Sequence, residues 1–301
     1  MSHTIKQNLH ENNPDIKRSK ILEALESEDL SVSFSDALDN EMVLNMGPQH
    51  PATHGVLRLL ISLDGETIVK CIPELGYLHR GYEKLAESST YHEFIPHTDR
   101  LDYLSPMANN VGYALGVEKL INLEIPERGQ YIRVIIAELA RIQSHLLAVG
   151  AMVMDIGALT PFLWAIRERE KILDLYDVIC GARFTTSYTR IGGVAQDMSD
   201  ESLAGIKKFT DEFISNLNEI RDIVERNKIF IERCEGIGYL SKEDSIELGL
   251  TGPLIRACGV ERDIRINEPI SFMINWISIF RLILKVTALP DIMYVWKSLS
   301  N

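Results

Sequence analysis

The apolar residues of this chain change period once, near Pro106, and that change limits the fold more than any other feature. Before it the runs are short and extended. A strand is expected from Met42 to Asn45, and runs at 56–63 and 67–72 flank Asp64-Gly65, a hairpin signal. After it, Ile132, Ile135, Ile136, Leu139, Ile142 and Leu146 recur at helical spacing, with Glu138 and Arg141 close enough to pair along the helix. Thr160-Pro161 reads as a cap with proline at the first helical position, opening a helix over about 162–179. Within it, Arg167-Glu168-Arg169-Glu170-Lys171 is expected to form a solvated or interfacial face. Another amphipathic helix spans about 201–227, with Phe213, Leu217 and Ile220 on one side, and 109–123 completes a set of four long helices. The expected fold class is α+β, mainly α: a small N-terminal antiparallel sheet plus a long-helix bundle. The chain then divides into a partly ordered arm (1–40), a small α+β domain (41–105), the bundle (106–268) and a tail (269–301).

The sheet carries one unusual loop, Gly47-Pro48-Gln49-His50-Pro51-Ala52-Thr53-His54-Gly55. Pro51 fixes its own φ and pushes His50 toward extended backbone, while Gly55 permits a sharp turn. Such a loop can aim an imidazole into a cavity, although a hydrogen-bonded turn with no ligand uses the same residues. A net charge of −12 argues against nucleic acid and against an electrostatic hold on anionic lipid. The four cysteines, Cys71, Cys180, Cys234 and Cys258, form no Cys-x-x-Cys pair, which disfavours zinc or iron–sulfur frameworks and fits a reducing compartment. No apolar signal segment opens the chain, so a cytosolic location is expected.

Five separated motifs add a stronger constraint. They are the histidine loop, Gly76-Tyr77-Leu78-His79-Arg80-Gly81-Tyr82-Glu83-Lys84-Leu85, Arg100-Leu101-Asp102-Tyr103-Leu104, Asp155-Ile156-Gly157-Ala158-Leu159-Thr160-Pro161 and Tyr188-Thr189-Arg190-Ile191-Gly192-Gly193. In this order, from about residue 42 to about 268, they resemble the D-type subunit family of proton-pumping NADH-quinone oxidoreductase (respiratory complex I). That family is related to the large subunit of nickel–iron hydrogenases. The resemblance implies a quinone-reduction site fed by an iron–sulfur cluster on a neighbouring subunit. It also implies a translocase active only within its complex, peripheral on the cytoplasmic side of a bacterial inner membrane. Subunits B and C and the membrane arm would be its partners, ubiquinone or menaquinone its substrate, and neither metal nor flavin would be bound by this chain. It assigns His54 and Tyr103 to the quinone headgroup and Asp155 to the carboxylate beside that histidine. His50 would support the loop, and His79, Arg80 and Glu83 belong to the signature shared with the hydrogenases, whose metal-holding cysteine pairs are absent here. Arg80 would lie near the cluster and favour its reduced form. Many relatives carry a histidine after the Arg-Phe of Gly181-Ala182-Arg183-Phe184, where this chain has Thr185 and Thr186. The cluster is therefore expected to lack a protonatable neighbour and to have a potential less dependent on pH. Two rivals stay open: a scaffold or inactive remnant that only docks other subunits, and a hydrogenase large subunit.

The tail departs from the resemblance. From Pro269 the chain reads Ile270-Ser271-Phe272-Met273-Ile274-Asn275-Trp276-Ile277-Ser278-Ile279-Phe280-Arg281-Leu282-Ile283-Leu284, nearly a membrane-spanning length interrupted by Arg281 and followed by Lys285. Reading the third base of each codon with the first two of the next gives another result. Met273–Ile274 must encode Asp, Asn275–Trp276 Leu and Trp276–Ile277 Asp, and the following codons permit Phe, Asp, Ile and Pro. That shifted reading resembles the family's continuation, so a one-base shift near codon 270 is expected, with a membrane anchor as the rival. A bundle deprived of its native end would expose apolar faces and aggregate.

Overall fold

The computed structural model describes residues 42–267. The expected arm (1–40) and the apolar tail from Pro269 lie outside the described residues. The chain parts into two compact units between His79 and Arg80.

The first unit is an antiparallel meander of β1 (Met42–Met46), β2 (Arg58–Asp64) and β3 (Thr67–Glu74), in that spatial order. Asp64 faces Thr67, so Gly65 and Glu66 form the hairpin turn. Gly65 takes a φ of 61°, as the first central residue of a tight hairpin must. Arg58 ties the three strands together. Its Nε donates to Asn45 on β1 at 2.9 Å, and its Nη1 meets Glu74 on β3 at 2.5 Å. Within the strands only Ile61 and Ser62 are buried, and Met42, Val43, Leu44, Ile68 and Val69 are exposed.

The second unit is mainly helical. Two short helices, α1 (Tyr82–Ser88) and α2 (Tyr91–Thr98), precede α3 (Pro106–Ile121), α4 (Glu127–Asp155) and α5 (Leu159–Cys180). A two-stranded hairpin, β4 (Thr189–Arg190) with β5 (Gly193–Val194), then leads to α6 (Asp200–Glu225). Four short helices follow: α7 (Lys228–Cys234), α8 (Lys242–Glu247), α9 (Gly252–Ala257) and α10 (Ile264–Asn267). The four long helices α3 to α6 are those expected from the apolar period. α4 packs against α3 and α5, and α5 against α6. Ile136, Leu139, Ile172, Tyr176 and Phe213 are buried along their shared core. Gly150 lets α4 and α5 approach closely, since a Cβ there would stand 3.2 Å from both Ala165 and Phe162. α4 is long and apolar enough to cross a membrane by length and composition, but half of its apolar window is packed inside the protein.

Charge is built into this core. Arg133 on α4 and Glu118 on α3, 2% and 3% exposed, form a bidentate pair at 2.8 and 2.6 Å. The guanidinium also donates to the carbonyls of Arg190 and Gly193, and Glu118 accepts the Gly192 N–H at 2.7 Å. One buried pair therefore fixes two helices and the β4–β5 turn, with its hydrogen-bonding capacity used. Glu138 pairs with Arg141 at 3.1 Å, as their spacing indicated.

Two expectations are corrected. Thr160 is not the cap of α5. The turn ending α4, closed by Gly157 N–H to Met154 O and Ala158 N–H to Val153 O, makes Ala158 the N-cap and places Thr160 inside the first turn. In the run 167–171, expected to form a solvated or interfacial face, Glu168 departs from that expectation, being fully buried while the Arg167 and Lys171 side chains stay exposed. Five consecutive helical residues sweep more than a full turn, so one of them must point inward. Arg167 Nε, Lys171 Nζ and Asn216 of α6 meet the Glu168 carboxylate at 2.8, 2.9 and 3.1 Å.

Candidate functional site

In the first unit the loop between β1 and β2 is held from within. Thr53 is 3% exposed, and its hydroxyl lies 3.1 Å from the Pro48 carbonyl and 3.0 Å from that of His50. Gly47 has a φ of 95°, and a Cβ there would fall 2.1 Å from the Leu57 carbonyl oxygen, so no other residue fits this close approach. His50 caps the short 3-10 turn Pro51–Thr53, its Nδ1 accepting the Ala52 N–H at 3.1 Å. That bond leaves Nε2 as the ring position for the proton of the neutral imidazole. His54 closes the same turn in the left-handed region (φ 53°, ψ 23°), with an exposed side chain. A residue other than glycine in this region is uncommon, and such strain persists where the surrounding structure imposes it. His79 ends the unit, exposed, with its N–H on the Gly76 carbonyl.

In the second unit Arg80 precedes α1 with its guanidinium carbon 5.6 Å from the centre of the Tyr82 ring, and Glu83 is exposed in the first turn of α1. Tyr103, 42% exposed, lies in the turn before α3 with its ring centre 6.5 Å from that of Phe184. Asp102 orders that turn, its carboxylate accepting from the Leu104 N–H at 3.1 Å and from the Ser105 hydroxyl. Thr185, exposed, follows Phe184 directly. The structure thus brings Tyr103 and the Thr185 segment together.

The residue that does so is one that sequence reasoning missed. Asp99 is fully buried, and its carboxylate accepts from the Ser187 N–H at 3.0 Å and the Ser187 hydroxyl at 2.5 Å. Ser187 has a φ of 42°, and the Thr186 hydroxyl contacts the Met107 sulfur at 3.2 Å. Behind this latch, Tyr188 donates to the Gln196 carbonyl at 2.7 Å, and burial pushes its phenol up to about 12, with Cys180 and Asp197 adding to the rise. An aspartate eighty-eight residues from its partner leaves no local sequence signal.

Asp155 is the last residue of α4 and is exposed. The C-terminal end of a helix favours cations, so a carboxylate there is placed against the helix field. Among the described residues no cluster of three or more His, Cys, Asp or Glu side chains is arranged to hold a metal ion.

Known proteins are similar to this chain over most of its length. The family described as "Respiratory-chain NADH dehydrogenase, 49 Kd subunit" matches residues 155–274. The first D-type NADH-quinone oxidoreductase subunit of Chloroherpeton thalassium is 57% identical over 254 residues, 84% of this chain and 58% of that protein. The D-type subunit of Salinibacter ruber is 53% identical over 78% of this chain and 52% of its own length. That of Methylacidiphilum infernorum is 54% identical over 79% of this chain and 57% of its own. The chain therefore spans somewhat more than half the length of these curated relatives. Identity at this level over most of its residues means that the chain belongs to the D-type, or 49 kDa, subunit family of NADH-quinone oxidoreductases.

Proposed function

We propose that this chain supplies the quinone-reduction site of a proton-pumping NADH-quinone oxidoreductase, receiving electrons from an iron–sulfur cluster on a partner subunit. A quinone headgroup takes two electrons and two protons and becomes a hydroquinone, so its site needs a donor at each carbonyl oxygen and a proton source. His54 is the imidazole donor to one carbonyl and gives up a proton as the reduced oxygen forms. Asp155 is the carboxylate that partners this histidine, and its place at the helix end suits a carboxylate meant to meet a cation. Tyr103 donates its phenol O–H to the other carbonyl. His50 keeps the loop in shape, and His79, Arg80, Glu83 and Thr185 lie on the cluster side. Subunits B and C and the membrane arm are the proposed partners, on the cytoplasmic face of the membrane, and either ubiquinone or menaquinone fits this chemistry.

The observation that carries this reading is the exposed Tyr103 phenol beside the Phe184–Thr185 segment, held there by the buried Asp99–Ser187 latch. A headgroup donor and the proposed cluster-side residue then share one rigid piece of the second unit. The test is Tyr103→Phe and His54→Gln in the assembled complex. Quinone reduction should fall about tenfold or more, while assembly and electron delivery to a hydrophilic acceptor upstream of the quinone persist. Unchanged quinone reduction in both variants would leave a docking scaffold as the function.

We also propose that residues 269–301 are read out of frame. The codon constraints of the tail support this, as does a family match that ends at residue 274. Sequencing gene and transcript through codons 265–275 tests it: a base that disappears on resequencing makes the tail a sequencing error, a shift confirmed in both means that the native C-terminal part is lost, and a shifted frame closed by a stop codon refutes it.

A further inference from the structure

The turn that carries Tyr103 is held from two directions. From its own side, the Asp102 carboxylate accepts the Leu104 N–H at 3.1 Å and the Ser105 hydroxyl. The Asp102 carbonyl accepts the Ser105 N–H at 3.1 Å and Asn109 Nδ2 at 2.9 Å. These bonds reach seven residues at most, so they shape the turn locally. The second hold comes from α4. Gln143, fully buried, reaches across thirty-nine residues of sequence and donates its Nε2 to the Leu104 carbonyl at 2.9 Å. That carbonyl belongs to the residue next to Tyr103, so the bond ties the backbone beside the tyrosine to the longest helix of the second unit.

This amide is kept at a cost. Gln143 Oε1 is buried and has no donor among the described residues, and an unpaired buried carbonyl counts against the fold. A methionine of similar length would fill the same space without that penalty. Packing alone therefore gives no reason for an amide here. The half of it that is bonded is the half that reaches the Tyr103 turn.

A tyrosine has two main side-chain torsions, so where its phenol points follows from its backbone and from the Phe184 ring, 6.5 Å away between centres. A shift of about 1 Å in a group aligned with a reacting atom can cost about a hundredfold in rate. We infer that Gln143 is a positioning residue for quinone reduction: acting from α4 through the Leu104 carbonyl, it sets the place of the Tyr103 phenol without touching the quinone. The inference rests on the quinone reading above.

The test is made in the assembled complex. Gln143→Met keeps the length of the side chain and removes its N–H. It should lower kcat for quinone reduction about tenfold and leave KM within about twofold, with unchanged yield of complex and unchanged electron delivery to a hydrophilic acceptor upstream of the quinone. In a Tyr103→Phe background the same substitution should change kcat by less than about twofold, because no phenol is left to place. Should Gln143→Met fail to assemble, Gln143→Asn, which keeps an amide but withdraws it by one carbon, is read in the same way. A residue that only stabilises the fold would lower the yield of complex rather than its turnover, and its effect would multiply with that of Tyr103→Phe. Either pattern overturns the inference, as does full turnover in Gln143→Met or failure of both variants to assemble. A silent Tyr103→Phe would remove the donor role of the tyrosine and this inference with it. An impaired Tyr103→Phe beside a silent Gln143→Met would remove the role of Gln143 alone, so the two failures are distinguishable.

Discussion

The helical unit and the small sheet are stabilised in opposite ways. Between α3 and α6 the chain buries a continuous apolar core and then spends burial on charge, with Arg133, Glu118 and Glu168 sealed inside and hydrogen-bonded. The meander of β1 to β3 buries Ile61 and Ser62 and leaves Met42, Val43, Leu44, Ile68 and Val69 exposed. Its shape comes from backbone devices: the Gly65 turn, the crowded Gly47, and Thr53 bonded across its own loop. A packed core tolerates no loss of volume or of a charge partner, whereas a locally determined sheet tolerates side-chain change and fails at its few special backbone positions. The histidine loop belongs to the second kind, so its geometry rests on a handful of atoms.

This contrast can be broken by substitution, beginning with the largest effect. Arg133→Leu leaves the Glu118 carboxylate buried without its cation and should cost about 3–5 kcal/mol in equilibrium unfolding; a loss below about 1 kcal/mol would mean the pair is not part of the core's logic. Phe213→Ala, 4% exposed in the wild type, should cost about 3–4 kcal/mol by the same measurement. Tyr188 offers a pH test. Its phenol is raised to about 12 in the fold, chiefly by burial, against about 10 when unfolded. The unfolded chain therefore loses this proton first as pH rises. The stabilisation is complete below about pH 10 and disappears between about 10 and 12, amounting to roughly 2–3 kcal/mol. Tyr188→Phe should remove that part of the alkaline transition, seen by circular dichroism against pH. Gly47→Ala should leave the helical signal intact while the proposed quinone reduction drops about tenfold or more; full activity would show that the loop need not hold its shape. At the small end, Ile68→Thr and Val69→Thr should each change stability by no more than about 0.5 kcal/mol.

How far these features could be read in the sequence follows from their range. Helices α3 to α6 were legible because each repeats the 3.6-residue period several times, as in Ile132 to Leu146. The short helices α7 to α10 complete one or two turns and never establish a period, and β4 and β5 contribute two residues each. Glu168 misled because its sequence neighbours are charged, while what buries it is Asn216 and the rest of α6, distant in sequence. At the site, glycine, proline and histidine announced the loop between Gly47 and Gly55. The bond from Ala52 to His50 Nδ1 and the left-handed backbone of His54 became visible only in three dimensions. Tyr103 and Asp155 were found through family resemblance, since an isolated tyrosine or a helix-end aspartate carries no pattern of its own. Asp99, which sets the place of Tyr103, had no signal at all.

The meander has one further consequence, and it concerns its edges. Among the described residues, both β1 and β3 are edge strands, each with one side unpaired within its own sheet. β3 carries Lys70 and Pro73 along its length, and a register break falls between Ser62 and Leu63 on the neighbouring strand. Charge, proline and irregular pairing are the devices that stop one such edge from adding to another. These devices guard the β3 edge, whereas β1, with Met42, Val43 and Leu44 exposed, carries neither charge nor proline. Edge-to-edge self-association is the hazard that the β3 edge is built to resist.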